Sequence, residues 1–422
     1  MEAEQVGKRA LMTDRWQPGT DRSCSAPVQL SISVVALGGL VAVLVLRPRS
    51  GAWAAAGVVV AVALIVGGVA PRATLRLLLE TTAPLVLFLT SAIWLALHAE
   101  RQGVARWLAD QLLVAARGSA LVLVVLVALV AAFLTATVSL DGAIVLVVPL
   151  IVDLTRVAPR LRGALLGAAI GVTNAFSFAV PQGNPANLVL MQRLHLAPAA
   201  FIAHLALPAT LATLVCLFGV LVAERRAVLE TSVGAPLARG DVQAMGTALT
   251  ALGAAAVGGV AAPWFGLAGW IPLTIVALTA WLVLRARHRN PPALPVPWRV
   301  GAQIGALLVG AEAFLAAVDV PAVRTASAGG LILAALGVAA VASLVNILPA
   351  SVLVAGILAG PPVTAYAALI GLAPGSLATP HGSVATMLAL DRAGSEPGIA
   401  RYARRWLPIS IAAVVAAVLA LR

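Results

Sequence analysis

Ser139-Leu140-Asp141-Gly142 and Val345-Asn346-Ile347-Leu348-Pro349 are two short segments with polar residues, each set inside a long apolar stretch. Each is followed along the chain by a second break, Pro181-Gln182-Gly183-Asn184-Pro185-Ala186-Asn187 in the first case and Ala378-Thr379-Pro380-His381-Gly382-Ser383 in the second. Polar, Gly- and Pro-rich backbone at membrane depth is tolerated only where it is buried in protein or lines a water-filled cavity. Four breaks in two matching pairs therefore predict a pathway through a membrane protein.

The composition agrees with a membrane protein. Hydrophobic residues make up 61% of the 422 positions and charged residues only 10%, values far from those of a soluble globular domain. The net charge of +12 does not indicate nucleic-acid binding, because the basic residues are spread over predicted loops rather than gathered on one element. Cys24 and Cys216 lie far apart, so no disulfide framework is predicted. The sequence predicts an all-α multi-pass protein, expected in a bacterial plasma membrane.

The apolar segments divide the chain into two similar halves. We predict a polar N-terminal tail (1–29), a first transmembrane repeat (30–222), a polar connector (223–243) and a second transmembrane repeat (244–422). Eight uninterrupted apolar runs are long enough to span a bilayer: 30–46, 51–70, 78–97, 199–222, 244–262, 266–284, 299–318 and 405–421. Four longer or interrupted stretches lie between them: 119–154, 164–192, 327–360 and 364–390.

The order of these segments predicts two inverted-topology repeats. We interpret 119–154 and 327–360 as re-entrant helical hairpins, and 164–192 and 364–390 as helices broken midway. Each half then crosses the bilayer five times, with Asp141 and Asn346 in corresponding places. The bias of Lys and Arg places both termini outside. The alternative, in which each hairpin is two short full crossings, stays open.

Asp141 is the strongest single candidate for function. It lies near the centre of a predicted hairpin, beside Gly142 and without a basic neighbour in sequence, and an ionisable residue at membrane depth is functional by default. Its carboxylate could exchange protons or coordinate a cation. Asp153 instead has Arg156 three residues on and predicts a helix-end ion pair. Glu80 lies near a span end, and all Lys and Arg residues are assigned to loops or tails.

The breaks supply the other candidate groups. Asn184 and Asn187 flank Pro185, which frees carbonyls that a cation or a polar substrate can use, although an Asn near a helix start can also be only a cap. His381 is a candidate for proton handling or for a structural hydrogen bond, and Glu312 for a proton relay or a bond to a neighbouring hydroxyl. The predicted substrate or ion site comprises Ser139, Asp141, Gly142, Asn184, Asn187, Asn346, Thr379, His381 and Ser383, with Glu312 as a proton relay and Asn174 as a further pathway residue.

These motifs resemble the ion transporter superfamily, and most closely its arsenite/antimonite efflux permease branch, which has citrate-transporter-like and sodium/proton antiporter relatives. Gly183-Asn184-Pro185-Ala186-Asn187-Leu188 is similar to the Gly-Asn-Pro-Thr-Asn-Leu break of that family, and the segment Thr379–Thr386 is similar to its Thr-Pro-x-Gly-Ser-Leu-Ala-Thr break. The family usually carries Asn-Asp at the first hairpin tip and Asn-Asn-Leu-Pro at the second. This chain has Leu140 and Ile347 in place of one Asn at each tip.

The resemblance implies a secondary transporter. The leading hypothesis is proton-coupled efflux of arsenite, antimonite or a similar small solute, and the alternatives are a citrate or dicarboxylate transporter and a sodium/proton exchanger. No cofactor is expected, because a proton or sodium gradient would supply the energy. A homodimer and a separate ATPase subunit both stay open, although the sequence does not imply the ATPase subunit. An intramembrane enzyme is disfavoured because the chain has no Gly-x-Gly-Asp pair, no Gly-x-Ser-Gly and no His-Glu-x-x-His. A non-transporting membrane protein is the remaining class.

Overall fold

The described part of the protein is almost entirely helical. The computed structural model describes residues 26–46, 51–70, 73–234, 245–268, 270–287, 290–317, 325–358, 361–395 and 397–421. Most of the predicted tail, with Cys24, and residues 235–243 of the connector lie outside these ranges. The described part of the connector contains one short helix.

The helices of the first half follow the predicted order. They are α1 (Ala26–Leu46), α2 (Gly51–Val66), α3 (Ala73–Arg101), α4 (Val104–Ala116), α5 (Ala120–Thr137), α6 (Leu140–Val157), α7 (Arg162–Phe176), α8 (Pro185–Leu194) and α9 (Pro198–Ala223), with α10 (Arg225–Glu230) in the connector. The amphipathic helix α4 was not predicted. It is bounded by residues with positive φ, Gly103 at 79° and Arg117 at 48°, and it packs its buried face against α5 and α6.

The second half repeats this order without an equivalent of α4 in its described residues. Its helices are α11 (Gly246–Ala261), α12 (Trp270–Ala286), α13 (Trp298–Ala317), α14 (Ala328–Val345), α15 (Ile347–Ile357), α16 (Pro362–Leu372), α17 (Val384–Arg392) and α18 (Ile399–Leu419). Every predicted apolar run therefore forms a helix. Both predicted hairpins and both predicted interruptions coincide with helix boundaries.

Several helices match the requirements of a membrane span. Five described helices are long and apolar enough to cross a bilayer: Leu78–Arg101, Ala120–Thr137, Pro198–Ala223, Ala328–Val345 and Ile399–Leu419. Shorter apolar helices fill the remaining predicted runs. With a rise of about 1.5 Å per residue, α5 and α6 are each roughly 27 Å long, and α15 is much shorter. The inverted topology and the re-entrant path of the hairpins stay predictions.

Most of the core belongs to one large apolar cluster, beside which lies a smaller peripheral one. The large cluster includes α3 to α9, α11, α12 and α14 to α18 and surrounds both hairpins and both breaks. The smaller one joins α1, α2 and α13 through Ala61, Leu64, Val309 and Ala313. The breaks therefore lie inside the protein, where surrounding helices can satisfy their backbone.

The assignment of all basic residues to loops or tails is wrong, because many arginines lie in helices, and three of the described ones pair with acids from other parts of the chain. Arg193 and Arg392 lie in the last turns of α8 and α17, and Arg405 lies within α18. Each contacts an acidic side chain from another element: Glu312, Glu100 and Glu224, respectively. A charge that finds such a partner need not sit in a loop.

Candidate functional site

Both hairpin tips contain a residue in a strained backbone conformation. Ser139 has φ 110° and ψ 165°, and Asn346 has φ 83° and ψ 152°. Only glycine adopts this region readily, and other residues there cost about 1–3 kcal/mol. Both side chains cap the helix that follows: Ser139 Oγ accepts from Gly142 N at 3.3 Å, and Asn346 Oδ1 accepts from Leu348 N at 3.3 Å. The two hairpins thus turn in the same way.

The shared cap conformation changes the correspondence between the halves. Sequence comparison pairs Asp141 with Asn346, whereas the structure pairs Ser139 with Asn346, because each starts the second arm of its hairpin. Asp141 then corresponds to Leu348. The carboxylate is therefore a feature of the first tip alone.

We expect Ala to be more disruptive than Gly at both tips. Ser139→Ala and Asn346→Ala keep the strained φ and lose the cap, whereas the Gly variants lose the cap and release the strain. Ser327 caps α14 at an ordinary φ of −73° and serves as the matched control. The difference in unfolding free energy between the Ala and Gly variants should exceed that at Ser327 by about 1–3 kcal/mol. Unfolding of the purified variants measures it, and equal differences at all three caps would contradict the assignment of strain.

The first break is held by its own polar side chains. Asn184 caps α8 through Oδ1 and Ala186 N at 2.9 Å, and its Nδ2 donates to Ser177 Oγ at 3.1 Å. Asn187 Nδ2 donates to the carbonyls of Ser177 and Val180 at 2.8 and 3.0 Å. Both asparagines thus bind backbone that the interruption leaves without helical partners. Their role as substrate or ion ligands stays a prediction.

The second break repeats the first in its backbone. Gly183 and Gly382 each lie so close to a carbonyl oxygen, that of Ser177 and that of Ser376, that a Cβ atom would overlap it. Ser177 Oγ and Ser376 Oγ both donate to the carbonyl three residues back, at 2.8 Å in each case. Each of these positions in the first break is separated from its counterpart in the second break by the same number of residues. Gln182 then corresponds to His381, Asn184 to Ser383 and Asn187 to Thr386.

The second hairpin tip binds directly to the second break. Asn346 Nδ2 donates to the carbonyl of His381 at 2.8 Å, and Ile347 N donates to the carbonyl of Gly382 at 2.8 Å. Thr379 Oγ1 donates to the carbonyl of Ser343 at 2.6 Å. The structure therefore brings Asn346, Thr379 and His381 together, and their role as parts of one site stays a prediction.

Contacts between the halves bring the two breaks to one region of the protein. Asn174 Nδ2, in the helix before the first break, donates to Thr386 Oγ1, in the helix after the second, at 3.1 Å. The helices after the breaks also pack across the halves: α8 against α15, and α17 against α6. Since α6 begins at Leu140, the helix that carries Asp141 contacts the one that starts at the second break.

Asp141 lies in the first turn of α6 and is half-buried. Gly142 beside it allows a close approach of α3, because a Cβ there would lie 3.3 Å from the carbonyl oxygen of Ala92. Among the described residues, no hydrogen-bond donor or basic group contacts the Asp141 carboxylate. The carboxylate is therefore free to bind a proton or a cation.

The other unpartnered polar atoms near the breaks are also oxygens. Within the described part of the chain, Asn174 Oδ1, Gln182 Oε1 and Ser383 Oγ are buried and have no hydrogen-bond partner. Buried polar atoms normally have one. Oxygen atoms from carboxylate, amide and hydroxyl groups suit a cation or a ligand with hydroxyl groups to donate. Gln182 was not predicted, and its correspondence with His381 at the other break is the signal that could have identified it.

The remaining predicted acids are in ion pairs. Asp153 contacts Arg156 at 3.0 Å, as predicted, and Glu80 contacts Arg76 at 2.7 Å within α3. Glu312, the predicted proton relay, contacts Arg193 of α8 rather than a residue of the breaks. Its carboxylate is engaged in joining two helices.

The apolar helices define a multi-pass membrane protein with paired hairpins and paired helix interruptions. A model of the CitMHS family, described as citrate transporter, matches residues 16–416. The chain therefore belongs to the citrate transporter family, which makes it a secondary transporter of the citrate and ion transporter type. No curated protein sequence matches it.

Proposed function

We propose that this protein carries citrate or a similar carboxylate across the membrane, together with protons or a metal cation, and that Asp141 is the coupling residue. The family match is the observation that carries the substrate class. The unpartnered oxygens of Asp141, Asn174, Gln182 and Ser383 support a bound cation or proton.

Electrostatics supports the co-transported positive charge. The four breaks (138–142, 177–187, 345–349 and 373–386) are all described and contain no Lys or Arg. At these breaks, a citrate trianion without bound protons or cations would lie near the Asp141 carboxylate, with no Lys or Arg of the breaks to balance the negative charge. Removing like charges from water to one partly buried site is unfavourable. Citrate neutralised by protons or by a divalent cation avoids this cost.

Efflux of arsenite or antimonite is the second candidate. The absence of guanidinium and ammonium groups at the breaks favours it, because neutral hydroxylated acids need only hydroxyl and amide partners. The same oxygens would accept their hydroxyl protons.

Uptake by purified protein in liposomes tests the proposal. Labelled citrate uptake is followed under an imposed proton gradient, with Mg²⁺, with a chelator, or with Na⁺ in place of protons. We expect gradient-driven citrate uptake that excess unlabelled citrate abolishes. Uptake of arsenite or antimonite without citrate uptake would favour the second candidate. Uptake of neither, by liposomes that contain folded protein, would contradict both.

A further inference from the structure

Two arginines end the two helices that follow the breaks. Arg193 lies in the last turn of α8 and Arg392 in the last turn of α17. They occupy matching positions, because Arg193 follows Gly183 at the same separation as Arg392 follows Gly382. A positive charge at a helix C-terminus is favourable in itself, since the macrodipole is negative there. The correspondence between the two arginines also includes the acidic residues that they contact.

Each arginine contacts an acid on the third helix of the opposite half. Arg193 of the first half contacts Glu312 on α13, and Arg392 of the second half contacts Glu100 on α3. We refer to these contacts as the Arg193 pair and the Arg392 pair. Among the described residues, the other ion pairs with a partner on α3 or α6 are Arg76–Glu80 and Arg156–Asp153, and both lie within one helix.

The two pairs lie at opposite ends of α3. Helix α13 runs antiparallel beside α3, because Gly301 contacts Val86 and Gly305 contacts Leu78. Glu312 lies two turns beyond Gly305 and hence past Leu78, toward the start of α3. Glu100 lies at the other end. The separation along α3 is at least about 30 Å, the thickness of the hydrocarbon core of a bilayer.

The two pairs differ in the distance between their charged groups and in the exposure of their side chains. Arg193 and Glu312 are in direct contact, with side chains only 10% and 22% exposed. Arg392 and Glu100 are 3.8 Å apart and 32% and 34% exposed. Arg392 also donates to the carbonyl of Val145 at 3.2 Å, which Pro149 leaves without its helical partner. The Arg193 pair is therefore the more firmly closed of the two in this conformation.

Packing around the Arg193 pair joins three helices. Val189 of α8, Leu308 and Ala311 of α13, and Val352 of α15 form a separate buried cluster. Val189 and Leu308 lie one turn before Arg193 and Glu312, respectively. The ion pair thus closes the end of an interface between a post-break helix and the peripheral α1–α2–α13 bundle. A mostly buried ion pair is costly to maintain and strongly disruptive to break on one side.

We propose that the Arg193 pair and the Arg392 pair are alternating contacts, each of which holds the site closed at its own face of the membrane. Opening at one face separates one pair while the other tightens. The arginines are positioning residues, because they act on the site through α8 and α17. The proposal rests on the proposed transport function and not on the identity of the substrate.

Cysteine accessibility tests the proposal without a substrate. His381→Cys serves as the reporter in a Cys24→Ser, Cys216→Ala background, and a membrane-impermeant maleimide is applied to vesicles of either orientation. Glu312→Gln should raise the rate at which the His381→Cys reporter is labelled from the membrane face of the Arg193 pair at least about fivefold. It should lower the labelling rate from the opposite face, where the Arg392 pair lies. Glu100→Gln should do the reverse. Asp153→Asn, which removes the ion pair within α6, should change neither.

Shifts in the same direction for both Gln variants, or no shift in either, would overturn the proposal. If Glu312→Gln does not fold, the exchange of Arg193→Glu with Glu312→Arg decides: labelling like that of the parent supports the pair, and altered labelling contradicts it. Citrate uptake is measured in parallel with the parent protein, which retains His381. Opposite labelling shifts without citrate uptake would support the alternating contacts and contradict citrate as the substrate. Citrate uptake without labelling shifts would support citrate as the substrate and contradict the alternating contacts.

Discussion

Asp141→Asn should abolish gradient-driven accumulation of substrate. The amide is nearly isosteric with the carboxylate but cannot take up a proton or balance a cation. Loss of one buried charged ligand costs at least about 1.4 kcal/mol, which lowers the affinity for the coupled cation or proton about tenfold or more. Because no described hydrogen-bond donor or basic group contacts the carboxylate, the neutral amide should not destabilise the fold. Uptake under an imposed gradient measures the effect.

Exchange of labelled for unlabelled substrate, without a gradient, separates coupling from binding. If Asp141 is the proton site, exchange survives in Asp141→Asn while accumulation is lost. If it holds a metal cation bound with citrate, both are lost. Asp153→Asn is the matched control, because Asp153 lies on the same helix but pairs with Arg156 at 3.0 Å. Accumulation at the parent rate by Asp141→Asn would contradict a coupling role.

Gly183→Ala and Gly382→Ala should each disrupt the protein at a break. A methyl group at either position would overlap a backbone carbonyl oxygen, of Ser177 or Ser376, and would lie 3.1 or 3.0 Å from its carbon. Backbone of a packed core cannot move away as a flexible side chain can. Overpacking of this kind costs typically about 1–3 kcal/mol and occasionally more. We expect lower thermal stability and loss of transport in both variants.

Gly337→Ala provides the control for these substitutions. Gly337 lies within α14, and a Cβ there would meet no atom within 4 Å. Ala is favoured over Gly inside a helix by roughly 0.5–1 kcal/mol, so this variant should be as stable as the parent or more so. Thermal unfolding in detergent and uptake in liposomes give the two readings. Normal stability and transport in Gly382→Ala would mean that the break is more open than the structure shows.

The structure also explains why the predicted roles of the polar residues differ. Each asparagine at a break or tip was a candidate ligand, yet Asn184, Asn187 and Asn346 donate to or cap local backbone. A sequence shows which side chains lie at an interruption, but not which backbone groups lose their partners there. Asp141 differs because no described hydrogen-bond donor or basic group contacts its carboxylate, which only the three-dimensional arrangement can show.

The amino-acid sequence alone determined the class of this protein, its apolar helices and the places where they are interrupted. Bilayer-length apolar runs and Pro- and Gly-rich breaks depend only on local composition. Only the tertiary structure decided which groups meet. It places Arg193 against Glu312 and Arg392 against Glu100, pairs that are remote in the chain and whose energy depends on burial and distance. It also aligns Ser139 with Asn346 through backbone dihedral angles, which the side-chain identities do not reveal.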